Sequence, residues 1–290
     1  MVEIVEEIQS RQNRRFVVRL DDGARVESVL YRGDTLCVSS QVGCAVGCRF
    51  CASGANGFGR NLRLEELEGQ LEAVLARGHL VRRATLSGIG EPLHNFAVAA
   101  EFIDSCRART IKTSLTTSGG PLPRLRQALG WLHNGLTLSV HAGYESTRRR
   151  LLPQAPPLGD LFATLAEVLP SLSRSRQKKI ALSYLLMAGE NDSEAELDAF
   201  AARARPLGLT LHLYAYNPVA PVLGDGYRRL PRERYDALWA RLTATGLRVR
   251  MSATARIEEN GGCGTLVALR SGRGSGALGV SAPIGSPEGR

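Results

Sequence analysis

Apolar positions follow two rhythms along this chain. Residues 16–20 and Arg25–Tyr31 alternate apolar and polar side chains on either side of the turn Asp21-Asp22-Gly23-Ala24, which predicts a β-hairpin. A third extended run, 35–41, leads into a loop rich in cysteine and glycine. From Leu62 the spacing turns helical, with Leu64, Leu67, Leu71, Val74 and Leu75 on one face. Strands and helices then alternate. Strands are predicted at 84–87, 112–116, 135–140, 180–186, 210–216 and 247–251. Helices are predicted at 96–107, 122–132, 158–172, 194–204 and 232–245. The capping patterns Asn191-Asp192-Ser193-Glu194 and Pro231-Arg232-Glu233 support the last two.

Repeated βα units imply a parallel sheet with helices outside it. Six or seven units are too few for a closed barrel of eight, so the expected fold is α/β, an open partial barrel preceded by a small hairpin. In such folds the reactive groups gather at the C-terminal ends of the strands. Here those ends carry the cysteine loop, then Gly88, Gly90 and Glu91, then Thr116 to Ser118, then Ser139 and His141, and finally Asn217. The pattern describes one site assembled from several loops.

Composition adds two facts. The 290 residues carry a formal charge of +9 with only three lysines, so arginine dominates. Arginine forks onto phosphates and stacks on bases, which suits nucleic acid, although a GC-rich genome gives the same bias. Basic clusters at 11–15, 82–83, 148–150, 174–179 and 228–234 read one by one as solvated faces, and Arg148–Arg150 are the first choice for RNA contact because they follow His141. No apolar run approaches the roughly 20 residues that span a bilayer, and residues 1–15 lack an apolar signal centre, so the expected compartment is the cytoplasm. Clustered thiols there suggest metal or catalysis rather than structural disulfides. The tail, 271–290, is rich in glycine and serine and is expected to be disordered. Nothing in the sequence demands more than a monomer.

Cys44, Cys48 and Cys51 are spaced C-x3-C-x2-C, with Cys37 seven residues upstream. A four-cysteine zinc site typically uses two separated pairs, whereas three close thiolates suit three irons of a [4Fe–4S] cluster and leave the fourth open. A zinc loop completed by Cys263 is the competing reading. Cys106 reads as a core residue, His79, His133 and His212 as structural or surface, and His94 as a loop cap.

With Phe50 before its last cysteine, the motif is similar to the radical S-adenosylmethionine (SAM) signature. The string 36–62, followed in order by "GIGEPLHN", "TTSG", "SVHA", "YNP" and "CGTL", resembles the RlmN/Cfr family of radical SAM RNA adenine methyltransferases over residues 25–268. The resemblance implies a partial (β/α)6-type barrel, with units at 1–34 (hairpin extension), 35–270 (barrel and catalytic-cysteine loop) and 271–290 (tail). It implies a [4Fe–4S] cluster on Cys44, Cys48 and Cys51, and SAM held by Gly90, Glu91, Thr116, Ser139, Val140, His141 and Asn217. Thr116 stands where the family often has serine.

The implied reaction methylates C2 or C8 of an adenine in rRNA or tRNA, using two SAM molecules. One methylates Cys263. The other yields a 5′-deoxyadenosyl radical that takes hydrogen from that methyl group, and the resulting carbon radical adds to the base. Glu27 then accepts the ring proton, and Cys37 resolves the adduct through a transient disulfide with Cys263. The electron comes from a low-potential donor such as flavodoxin or ferredoxin. The helical N-terminal domain of typical members is not found, so the chain reads as a short form. A non-RNA substrate for the same chemistry, or a noncatalytic cluster protein that binds RNA, are the alternatives.

Overall fold

A computed structural model describes residues 2–55, 57–218 and 226–251. The chain opens with three strands, β1 (Glu3–Gln9), β2 (Asn13–Arg19) and β3 (Arg25–Tyr31), and continues into β4 (Thr35–Val38). The cysteine loop lies between β5 (Gln41–Gly43) and β6 (Phe58–Asn61) and contains the short α1 (Ala52–Ala55). Then come α2 (Leu64–Leu75), β7 (Arg83–Leu86), α3 (Phe96–Ala108), β8 (Lys112–Thr117), α4 (Leu122–Leu129), β9 (Gly135–Ser139) and α5 (Glu145–Leu151). After these follow α6 (Leu158–Val168), α7 (Arg174–Gln177), β10 (Ile180–Leu186), α8 (Glu194–Ala204), β11 (Thr210–Ala215), α9 (Arg232–Ala244) and β12 (Arg248–Met251).

Ten of these strands form one open sheet in the order β1-β2-β3-β4-β7-β8-β9-β10-β11-β12. β1 to β4 pair antiparallel, and every pairing from β4 to β12 is parallel. The fold is thus the expected α/β open barrel, and each predicted parallel strand is present. The N-terminal hairpin is β2 and β3, extended by β1, which the sequence reading missed. The register of β1 shifts between Ile4 and Glu6, and this bulge breaks the alternation that marks a strand.

Alternation sorts the sheet's two faces. Leu36, Leu86, Leu115 and Leu138 are fully buried and join the core cluster that includes Leu67, Leu71 and Val74 of α2 and Phe102 of α3. Each such side chain contributes about 1.5–3 kcal/mol on burial. The alternate positions, Thr116, Thr137, Ser139 and Ser183, are polar and line an internal cavity. Oily outside and hydroxylated inside, the curved sheet is built to hold a polar ligand on its concave face. Local signals fix the helix starts: Glu66 Oε2 accepts the Arg63 N–H at 2.8 Å for α2, and Ser193 Oγ accepts the Glu196 N–H at 3.2 Å for α8. No helix among the described residues is long and apolar enough to cross a membrane.

Far from the cavity wall, His133 precedes β9 and is 4% exposed, with neither ring nitrogen hydrogen-bonded. Burial, with Arg176 and Lys179 nearby, lowers its pKa from 6.5 to about 4. The unfolded chain protonates this residue near pH 6.5, whereas the folded chain does so only near 4. Its contribution to stability is therefore complete above 6.5 and is lost as pH falls toward 4, at about 1.4 kcal/mol per pH unit. Denaturant titrations at pH 7 and pH 5 are expected to show a steeper acid loss in wild type than in His133→Leu. Equal losses would refute this assignment.

Candidate active site

The loops after β4, β7, β8 and β9 converge on one cavity. Cys44, Cys48 and Cys51 line it, with Phe50 and Leu152 beside them. The loop that carries them is closed at its stem by the β5–β6 ladder, Gln41 opposite Asn61 and Val42 opposite Arg60. Gly43, at φ +76°, lies so close to the facing strand that a Cβ would fall 1.9 Å from the Gly57 carbonyl oxygen. Gly54 likewise lets α1 pack on the backbone of Cys48. Within the loop, the Cys51 N–H donates to the Cys48 carbonyl at 3.1 Å, a turn that places two of the thiols together.

Burial, and then the neighbouring Cys51, push the Cys44 thiol up to about 12. The Cys48 thiol is also raised, by burial and then by Cys51 and Cys44. Two of these closely set thiols, Cys44 and Cys48, are pushed away from the ionised form by desolvation and by the neighbouring cysteines, and a bound cation relieves this because it deprotonates its ligands outright. No group of three or more His, Cys, Asp or Glu among the described residues is arranged to hold a single metal ion. Ligands on separate irons of one cluster need not converge that way. The donor set therefore fits a [4Fe–4S] cluster.

Gly88, Gly90 and Glu91 form the next wall. Gly90 sits at φ +111°, and a Cβ there would meet Gln41 at 2.7 Å, so only glycine brings this backbone to the cavity. The Glu91 carboxylate accepts hydrogen bonds from Thr117 Oγ1 (2.6 Å), the Ser118 N–H (2.7 Å), Ser118 Oγ (2.8 Å) and the Leu93 N–H (3.1 Å). Its own N–H donates to Gln41 Oε1 at 2.8 Å. Glu91 thus ties the loop after β7 to the loops after β8 and β4. Sequence reasoning gave it a ligand to hold and missed this bracing.

Thr116, Ser139 and His141 line the opposite side. His141 has φ +57°, and its Nδ1 accepts the Leu185 N–H at 3.0 Å, which leaves the ring proton on Nε2. Burial, and then Arg148, lower its pKa to about 3, so the ring is a neutral donor. Glu196, overlooked in the sequence, holds this loop: its carboxylate accepts the Gly143 N–H (2.7 Å), the Tyr144 N–H (3.1 Å) and the Thr147 hydroxyl (3.1 Å). In the sequence it reads only as a first-turn helix acid. Val140 and Asn217 are buried but do not line the cavity, and Arg229 donates to Asn217 Oδ1.

Cys37 and Glu27 stand on the same concave face. Cys37 Sγ lies 3.3 Å from the hydroxyl of Ser87, a cavity residue. Cys37 pairs with Val29, which makes Glu27 its diagonal neighbour across the β3–β4 ladder, about 7–8 Å away. Glu27 is buried, with Arg15 Nη1 at 3.8 Å. No disulfide joins Cys37, Cys44, Cys48, Cys51 and Cys106 to one another. Cys263 and the tail lie outside the described residues.

One expectation is overturned. Arg148, grouped with Arg149 and Arg150 as a phosphate contact, is 1% exposed, and its guanidinium is committed to backbone carbonyls inside the fold. Arg149 and Arg150 are exposed, and Arg150 pairs with Glu190.

A sequence profile of the Radical SAM superfamily matches residues 38–201, which contain the three cysteines and the loops after β7, β8 and β9. The chain belongs to the radical SAM superfamily. A Chromobacterium violaceum protein named probable RNA methyltransferase is 35% identical over 258 residues, covering 87% of this chain and 71% of that protein. A Sorangium cellulosum protein named dual-specificity RNA methyltransferase RlmN is 35% identical, covering 81% and 62%. Among solved structures, a radical SAM methyltransferase from Sphaerobacter thermophilus superposes with a TM-score of 0.79 at 27% identity, covering 91% of this chain and 81% of that one. The protein is accordingly an enzyme of the radical SAM methyltransferase type.

Proposed function

We propose that this radical SAM enzyme methylates an adenine carbon, C2 or C8, of rRNA or tRNA through a methyl group carried on Cys263. The observation that carries the reading is the fourth thiol. Cys37 stands apart from the cluster cysteines, on the concave face, against a cavity-wall hydroxyl. The relatives named as RNA methyltransferases and the formal charge of +9 support an RNA substrate.

Cys44, Cys48 and Cys51 would hold the cluster, and SAM would contact Gly90, Glu91, Thr116, Ser139 and His141, with Val140 and Asn217 standing behind that wall. Together, cluster and SAM supply a carbon radical able to take hydrogen from a methyl group, with the electron coming from a flavodoxin or ferredoxin. This chain's own residues do the rest. Gly90 exposes backbone to the ligand, and His141 offers a fixed Nε2–H donor. Glu27 accepts the proton leaving the base, and the odd electron of the adduct would pass back to the cluster. The Cys37 sulfur then attacks the Cys263 sulfur. The Cys263 S–C bond breaks with its electron pair passing to carbon, a proton completes the methyl group, and the resulting disulfide is reset by an external thiol reductant. Reach is no obstacle. β12 runs parallel to its neighbour, so Met251 ends at the cavity edge of the sheet, twelve residues before Cys263. Twelve residues span at most about 40 Å. A reducing cytoplasm suits this thiol chemistry.

Methyl-labelled SAM tests the reading. Wild type is expected to acquire label on protein and RNA, whereas Cys263→Ala acquires neither. Equal labelling of the two would overturn the covalent route. Loss of a C-methyladenosine from the rRNA or tRNA of a deletion strain, read by nucleoside mass spectrometry, would fix the substrate. An unchanged nucleoside profile would rule RNA out.

A further inference from the structure

Residues 148–150 are three consecutive arginines, and a helix turns about 100° per residue, so they cannot share one face. On α5, Thr147, Arg148 and Leu151 form the buried side. The Arg148 guanidinium donates to four carbonyls: Ser139 (2.5 Å) and Val140 (2.8 Å) through Nη1, Ser118 (2.7 Å) through Nη2, and Pro156 (3.3 Å) through Nε. Two of these groups end β9, and a third follows β8. The helix is also fastened to the cysteine loop, since the Arg49 N–H donates to the Leu151 carbonyl at 3.0 Å.

Every one of these acceptors is neutral. All the hydrogen bonds of the Arg148 guanidinium among the described residues end on backbone carbonyls and none on a carboxylate, and a guanidinium does not shed its proton in a protein. A buried cation without a counter-charge costs several kcal/mol. The negative groups that feel it are Cys48, when ionised, and then Glu145 and Glu91. Both carboxylates are engaged elsewhere: Glu145 Oε2 accepts the Leu158 N–H at 2.7 Å, and Glu91 makes the bonds given above. The balancing charge is therefore expected at the cysteine loop. Three thiolates on an iron–sulfur cluster provide it, and reducing the cluster adds one negative charge more. Net charge near a cluster is one of the levers that sets its potential.

We propose that Arg148 is the built-in counter-charge of the iron–sulfur cluster, a positioning residue that raises the cluster's reduction potential while tying the ends of β8 and β9 together. The inference rests on the assignment of Cys44, Cys48 and Cys51 to the cluster. It does not depend on RNA or on Cys263.

Redox titration of the reconstituted protein, followed by the electron paramagnetic resonance signal of the reduced cluster without RNA, tests it. Arg148→Met and Arg148→Gln, compared at equal iron and sulfide content, are expected to lower the reduced-to-oxidised ratio at a fixed poise about tenfold. That equals about 59 mV for a one-electron couple. Arg148→Lys keeps the charge and is expected to stay near the wild-type midpoint. Neutral variants with the wild-type midpoint, or a lysine variant shifted as far as the neutral ones, would overturn the proposal. Neutral variants that do not fold while the lysine variant does would assign Arg148 to the fold alone and overturn it too. A wild-type protein unable to hold a cluster would sink the ligand assignment itself, whereas loss of methyl transfer with intact potentials would sink only the reading of Cys263.

Discussion

Cys48→Ala protein, reconstituted anaerobically with iron and sulfide, is expected to hold no four-iron cluster and to release no 5′-deoxyadenosine from SAM above background. Losing an outer-shell partner of a metal ligand typically costs about 10–100-fold in affinity or activity, and losing a ligand costs more. The Cys48 thiol is disfavoured as a free thiolate, because burial is reinforced by both neighbouring cysteines. Alanine removes only the sulfur that packs at the edge of the cluster of Phe50, Leu151 and Leu152. The control is Cys106→Ala. Cys106 is buried in the core on α3, and its loss is expected to cost some stability but no iron. Iron analysis, absorption spectra and nucleoside chromatography read the result. A Cys48→Ala protein with wild-type iron content and SAM cleavage would remove the basis of the site assignment.

Glu91→Ala is the second large effect, and it falls on the fold as well as on the ligand. The carboxylate accepts two backbone N–H groups and two hydroxyls in a buried setting. The Thr117 and Ser118 hydroxyls can rotate to other acceptors, but the Leu93 and Ser118 amides cannot. Each buried donor left unmet costs about 1–3 kcal/mol, so a total of about 2–6 kcal/mol is expected for the two amides. For a domain of this size that corresponds to a melting temperature lower by roughly 10 °C. SAM binding by the loaded protein is expected to weaken further, because the Gly90 backbone is set by the same loop. Calorimetry and SAM titration separate the two effects. A variant with the wild-type melting temperature would show that these bonds contribute little.

The parallel strands were legible because each combines β-branched or leucine residues with a polar alternate, and the helices because their apolar stripes recur at helical spacing. β1 was hidden by its bulge. The β5–β6 stem was hidden because Gln41–Gly43 and Phe58–Asn61 are too short to show a period, and their glycines read as turns. Short α5 was masked by its arginine run, which resembles a solvated face. The clue lay in Thr147 and Leu151, four residues apart on one side of the helix. The three cysteines, Gly90, Glu91, Thr116, Ser139 and His141 line the cavity and were legible by type and position, whereas Val140 and Asn217, expected there, do not line it. The residues that brace it were not legible. Gln70, for example, accepts the Ser28 hydroxyl and the Ser39 N–H and donates to the Ser39 carbonyl, yet sits in α2 like any surface glutamine. Buried polar partners are defined by what they meet in space, and spacing along the chain does not record that.

The clasp formed by β5 and β6 has a consequence for how the enzyme is made. Backbone hydrogen bonds between Gln41–Gly43 and Phe58–Asn61 cinch the thiol-bearing segment shut, so its closure entropy is already spent by the polypeptide. A cluster binding between these strands would meet a loop whose ends are already joined, and would need little further ordering of the chain.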